Sequence, residues 1–267
     1  MPGYHAKKRL GQNFLKSREI IERIVELVAP TQGDSIIEIG PGRGSLTLPL
    51  AESGASITAV EFDRDVIGYL EKLLRKWPNA KIVNQDFLSF DPGEAGEGPH
   101  KLIGNLPYNI TSPALAWVTE NRKSVHRAVF MVQKEVGQRV AASPGNKNWS
   151  PLSIFTQLSF DVHLCFDVAP EHFQPPPKVT SCVIELTPIK KPVAVVHEQL
   201  FERVVRTGFR QRRKLLSNNL APDLLPDTGS VRKLLAQAGL AEDVRAEEVS
   251  IAGFLKLTEC LAVISMP

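Results

Sequence analysis

An apolar run that ends in a cluster of glycines constrains this chain more than any other stretch. Ser35-Ile36-Ile37-Glu38-Ile39-Gly40-Pro41-Gly42-Arg43-Gly44 reads as a strand (Ile36, Ile37, Ile39) entering a glycine-rich turn, with a helical stretch from Ser45 to Glu52 behind it. The turn's glycines admit positive φ and let the backbone approach a ligand closely. Further strand-like runs near 57–60, 81–85, 101–104 and 127–133 alternate with helical segments. That alternation predicts a mostly parallel, doubly wound sheet. Ligands of such sheets bind beyond the carboxyl ends of the strands, and three successive strand ends here carry Glu61, Asp86 and Asn105. A carboxylate closing the second strand is placed to bind a ribose diol. The pattern is that of a cofactor site.

The glycine spacing bears on which cofactor. Counted from Gly40, the last small position of the dinucleotide fingerprint falls on Ser45, and the third glycine comes one residue early at Gly44. Such a turn, followed by an acidic ribose binder, fits a nucleoside cofactor such as S-adenosylmethionine better than a dinucleotide. An NAD enzyme stays open on the turn alone. The fourth strand then leads into Asn105-Leu106-Pro107-Tyr108. An amide, a proline-stiffened backbone and an aromatic ring can hold a flat base by stacking and accept hydrogen bonds from its amino group. The same residues also occur as a plain turn.

The rest of the chain adds a second domain. Strand candidates at Val162–Val168 and Val179–Leu186 have no helix-length segment between them, which predicts an antiparallel pair at the sheet edge. Pro188-Ile189-Lys190-Lys191-Pro192 reads as a linker, and Glu198–Arg210, Lys214–Leu220, Ser230–Ala238 and Ser250–Ala262 read as helices. The expected division is residues 1–188 and 189–267, with Gly93–Pro99 at most a mobile loop. At 267 residues the chain can bury a substantial core. A net charge of +3 leans only mildly toward polyanionic partners. Cys165, Cys182 and Cys260 are scattered and fit buried thiols in a reducing compartment. No histidine cluster suggests a metal. No apolar stretch reaches membrane-spanning length, and the basic start lacks a signal peptide's apolar core, so the expected location is the cytoplasm.

Eight ordered motifs together resemble the ribosomal RNA adenine dimethyltransferase family. They are Lys8–Leu15, the glycine turn, Glu61–Asp63 and Gln85-Asp86, then Asn105–Tyr108, Gln133–Val136, Phe173–Val179 and Phe209–Lys214. The resemblance implies a Rossmann-like class I methyltransferase sheet, mostly parallel with an antiparallel edge strand, and a small C-terminal all-helical domain. It implies methyl transfer from S-adenosylmethionine to N6 of two adjacent adenosines near the 3′ end of small-subunit rRNA, by a monomer acting on an assembling small ribosomal subunit. Asn13 and Leu15 would cover the methionine end, with Gly40 approaching it. Glu61 would bind the ribose, and Asp86 the adenine amino group. The Asn105 side-chain oxygen and the Leu106 carbonyl would accept the two N6 hydrogens, while Pro107 stiffens the turn. Tyr108 would stack on the target base, and so would Phe173, whose plainer reading is packing at a strand start.

Lys7, Lys8 and Arg9, together with Arg206, Arg210, Arg212, Arg213 and Lys214, would contact RNA. Their plainer readings are a solvated terminus and cations that stabilise a helix C-terminus. Two residues depart from the family's pattern. Trp149 stands where a tyrosine-glycine pair is usual, and Arg43 stands where an apolar residue is common. Two other functions fit the same fold: methylation of large-subunit rRNA, and a non-catalytic RNA-binding or ribosome-assembly factor.

Overall fold

The computed structural model describes residues 13–265; Lys7, Lys8 and Arg9 lie outside the described residues. In chain order the elements are β1 (Phe14–Leu15), α1 (Arg18–Val28), β2 (Ser35–Ile39), α2 (Thr47–Glu52), β3 (Ser56–Glu61), α3 (Arg64–Leu74), β4 (Ala80–Asn84), β5 (His100–Asn105), α4 (Thr111–Glu120) and β6 (Val125–Gln133). They continue with α5 (Lys134–Val140), α6 (Pro151–Gln157), β7 (Phe160–Val168), β8 (Phe173–Gln174), β9 (Ser181–Pro188), α7 (Glu198–Gly208), α8 (Leu216–Leu224), α9 (Thr228–Gln237) and α10 (Ile251–Ser265). The chain forms two compact units, one of Met1–Gly137 with Ser159–Ile189, the other of Gln138–Leu158 with Lys190–Pro267.

The first unit is built on a seven-stranded sheet of order β4-β3-β2-β5-β6-β9-β7. Strands β2 to β6 are parallel, and β9 runs antiparallel to both β6 and β7. This is the Rossmann-like sheet with an antiparallel edge that the sequence led us to expect. β2 is central, so Ile36, Ile37 and Ile39 are all buried, as a strand covered on both faces requires. α1 lays Ile20, Ile24 and Val28 against that core at helical spacing. It ends at Ala29, whose φ of 46° turns the chain out of the helix. There the Lys101 ammonium donates to the Ala29 carbonyl at 2.7 Å and to Asp34 at 2.8 Å, pinning the amino-terminal edge of the sheet.

Two details carry the opposite edge into the site. A Cβ on Gly104 would lie 2.8 Å from the Ile39 carbonyl, so only glycine lets β5 press against β2 as it delivers Asn105. A second, two-stranded sheet pairs Phe14 with Gln174 and Leu15 with Phe173. The Lys16 amide extends this pairing by donating to the His172 carbonyl at 2.9 Å. The 93–99 stretch, read as at most a mobile loop, overlaps a short turn, Pro92–Ala95, that carries a reciprocal capping box between Asp91 and Glu94.

The second unit is helical and takes in more than residues 189–267. Residues 138–158 join it because Trp149 is 1% exposed among Phe201, Leu216, Phe254 and their neighbours. The indole N–H of Trp149 donates to the Val249 carbonyl at 2.9 Å, so a ring this large is both buried and satisfied. The departure from the family's tyrosine-glycine pair is thus a core residue of this unit. Cys165, Cys182 and Cys260 are free thiols, and only Cys182 is fully buried. Among the described residues, no helix is long and apolar enough to cross a membrane and no group of side chains is placed to hold a metal ion.

Candidate active site

A cavity of about 300 Å³ opens beyond the carboxyl ends of the central strands. Asn13, Leu15, Gly40, Glu61, Asp86 and Asn105 all line it, as do Leu106, Pro107 and Tyr108. Nine residues singled out from sequence therefore share one concave surface. Gly42 shapes its rim: its φ is +54°, and a Cβ there would meet the Phe14 ring at 3.0 Å.

Glu61 closes β3 and is 6% exposed. Its carboxylate accepts from the Gly42 amide at 3.1 Å and the Asp63 amide at 2.8 Å. Burial pushes the Glu61 carboxyl above its ordinary range, and these amide bonds pull the other way. A carboxylate has about four acceptor positions, so two amides leave capacity for a diol. Asp86 caps the next short turn by accepting from the Leu88 amide at 3.0 Å.

The Asn105-Leu106-Pro107-Tyr108 turn is tethered at each residue. The Asn105 side-chain amide donates to the Asn13 carbonyl at 2.7 Å. A carbonyl partner requires the Nδ2 end, which turns Oδ1 the other way. The Leu106 amide donates to the Met131 carbonyl at 3.0 Å, while the Pro107 carbonyl accepts from the Ile110 amide at 3.0 Å and the Thr111 hydroxyl at 3.2 Å. The Tyr108 hydroxyl pairs with the Ser181 hydroxyl at 3.0 Å.

Phe173, expected to stack on the target base, lies elsewhere. It is 1% exposed and packed in the sheet core with Leu15, Met131 and Val183. β8 turns Phe173 inward and Gln174 outward, so this ring offers no face to a base in the conformation described.

Three of the expected RNA-binding arginines also have partners of their own. Arg206 pairs with Glu202 at 2.7 Å and lies over the Phe155 ring. Arg210 pairs with Asp223 at 2.6 Å. Arg212 pairs with Glu247 at 3.3 Å and also donates to the Lys147 carbonyl. Arg213 and Lys214 are exposed and make no ion pair among the described residues. Asn219, which sequence reasoning passed over, fixes this basic turn through its amide donating to the Gly208 carbonyl at 2.6 Å and the Gln211 carbonyl at 3.1 Å.

A sequence profile described as ribosomal RNA adenine dimethylase matches residues 3–263. The chain belongs to the ribosomal RNA adenine dimethylase family. A protein of Geobacter sulfurreducens named ribosomal RNA small subunit methyltransferase A is 42% identical over 265 residues, spanning 97% of this chain and 96% of that one. A Xanthomonas campestris pv. campestris protein of the same name is 41% identical, spanning 94% and 95%. Among solved structures, the 23S rRNA methyltransferase ErmE is similar with a TM-score of 0.72 and 27% identity, over 93% of this chain and 99% of that one. A dimethyladenosine transferase from Plasmodium falciparum is similar in fold, with a TM-score of 0.79 and 23% identity over 91% and 95%.

As a member of the dimethylase family the chain is a methyltransferase whose methyl donor is S-adenosylmethionine, and its cavity suits that cofactor. Glu61 presents a tethered carboxylate with acceptor capacity to spare. Glu38, hidden within the apolar β2, is the residue that sequence reading missed. It is 2% exposed, it lines the cavity, and its Oε2 has no hydrogen-bond partner. Burial first, with the Glu61 charge adding, pushes its carboxyl up to about 8, against the influence of the Thr47 hydroxyl. A buried carboxyl with an unpartnered oxygen calls for a cationic donor to ionise against, and the cofactor's α-ammonium is one. Its signal in the sequence was a single carboxylate inside an otherwise apolar strand. In the dimethylase, Glu61→Ala is expected to raise the cofactor dissociation constant about 10- to 100-fold, the range for losing charged hydrogen bonds. Calorimetry showing unchanged affinity would place the ribose elsewhere.

Proposed function

We propose that this protein dimethylates N6 of two adjacent adenosines near the 3′ end of small-subunit rRNA. We infer further that it acts as a monomer, in the cytoplasm, on an assembling small subunit. The observation that carries this reading is the tethered Asn105 amide, whose donor end is committed to Asn13 and whose acceptor end is thereby turned away from it. An adenine amino group offers two N–H donors. Asn105 Oδ1 is the acceptor for one and the Leu106 carbonyl, which accepts no hydrogen bond among the described residues, for the other.

The amine of adenine is a poor nucleophile because its lone pair is delocalised into the ring. Two acceptors at N6 favour a tetrahedral nitrogen and stabilise the positive charge that develops there, a preorganised electrostatic effect. Tyr108, held through Ser181, would stack on the ring and fix its position. Bound S-adenosylmethionine supplies an electrophilic methyl group on a sulfonium. The target base must leave its stack to enter, at about a few kcal/mol. Arg213 and Lys214 are suited to hold RNA phosphates. The small-subunit assignment rests on the relatives of that name at 41–42% identity. The similarity to ErmE, at 27%, keeps the large subunit as the second reading.

The test is transfer of labelled methyl groups to small subunits from cells lacking the modification, with large subunits as control and digestion to nucleosides. Dimethyladenosine in the small subunit alone is the expected result. Label in the large subunit would overturn the substrate assignment, and tight subunit binding without label would make the protein an assembly factor.

A further inference from the structure

We propose that Arg43 binds the α-carboxylate of the cofactor's amino-acid end, an inference that rests on the S-adenosylmethionine reading above. The described lining of the cavity is rich in acidic side chains and poor in basic ones. Glu38, Glu61 and Asp86 line it, and Arg43 is the one cation among the described lining residues. S-adenosylmethionine carries two positive groups, the sulfonium and the ammonium, and one negative group, the carboxylate. Acidic residues account for the ribose, the adenine amino group and the ammonium. The carboxylate needs a donor, and a buried or half-buried carboxylate without one is costly.

Arg43 is placed for that contact. It follows Gly42 on the turn that leaves β2, five residues beyond Glu38, and lines the same cavity as Glu38. Its guanidinium lies over the Phe14 ring, 4.8 Å from the centroid. Phe14 itself lines the cavity and is fixed by pairing with Gln174 and by its closeness to Gly42. Stacking uses the flat face of a guanidinium, whereas its N–H donors lie in the plane, in the fork that matches a carboxylate. The aromatic shelf thus restrains a long side chain at the mouth before the ligand arrives, reducing the entropy lost on pairing.

The alternative use of a cation at this mouth is an RNA phosphate, and three ligands separate the two. Binding of S-adenosylmethionine, its decarboxylated analogue and 5′-methylthioadenosine would be measured by calorimetry for the full-length wild type, Arg43→Leu and Arg43→Lys. Arg43→Leu is expected to weaken S-adenosylmethionine about five- to tenfold, a charge-assisted bond discounted for exposure. Both ligands without the carboxylate should bind the variant as they bind wild type, which also reports that the fold is intact. Arg43→Lys should recover part of the loss. Equal weakening of all three ligands, or none, would overturn the assignment. So would unchanged cofactor affinity accompanied by a higher KM for ribosomal subunits and a shallower salt dependence, which would give Arg43 to a phosphate. Failure of the wild type to bind any of the three would instead overturn the cofactor reading itself.

Discussion

Tyr108→Ala is expected to lower methyl transfer by at least about 100-fold, in the range for losing a group that positions the reacting base. S-adenosylmethionine binding should stay near wild type, since the cofactor contacts derived above come from other residues. The hydroxyl and the ring separate cleanly. Tyr108→Phe keeps the stacking face and loses only the 3.0 Å bond to Ser181, so it should retain most activity, with the loss appearing in kcat. Single-turnover transfer and calorimetry on both variants check this. Normal turnover by the alanine variant would sink the stacking role and return the turn to a purely structural one.

Glu38→Gln should stabilise the cofactor-free protein and weaken its grip on the cofactor. Folded Glu38 holds its proton up to about 8, against an ordinary value of 4.5. The unfolded chain releases that proton from about pH 4.5, so the unfolded state gains as pH rises between the two values. Integrated over that window, the linkage costs the wild type on the order of 3–5 kcal/mol at pH 8. Glutamine has no proton to lose and escapes the penalty. Melting curves without cofactor should therefore coincide for the two proteins near pH 4, with the variant melting higher at pH 8. Parallel curves over the whole range would show that Glu38 is not the buried acid described. Stability and binding oppose each other at this residue, as expected where a site keeps a costly group for its ligand.

The parallel sheet was legible because strand, glycine turn and helix recur in a pattern that few folds share. The cofactor wall was legible for the same reason, since the ends of β3, β4 and β5 are where that topology gathers side chains. Other features depend on contacts without local period. β1 and β8 are two residues each, too short for alternation to show, yet they place Asn13 against Asn105. Residues 138–158 join the helical unit through Trp149, Ile154 and their neighbours, whose partners lie far along the chain, as at Val249, 100 residues from Trp149. Phe173 before its prolines fits either stacking on a base or packing at a strand start, and only its burial beside Leu15 decides for packing. The basic run from Arg206 onward shows its charges in sequence but hides its partners, since Asp223 and Glu247 arrive from other elements.

The bond between Asn105 and the Asn13 carbonyl also bears on which base the pocket accepts. Adenine presents an amino donor where guanine presents a keto oxygen. A carboxamide can meet either, depending on which end it turns outward. By engaging the nitrogen end, a main-chain oxygen 92 residues upstream leaves the oxygen outward and matches the site to adenine. Turned the other way, the same side chain would greet guanine. In the proposed pose, discrimination between purines would thus be set by a backbone atom, and replacing the Asn13 side chain would leave it in place.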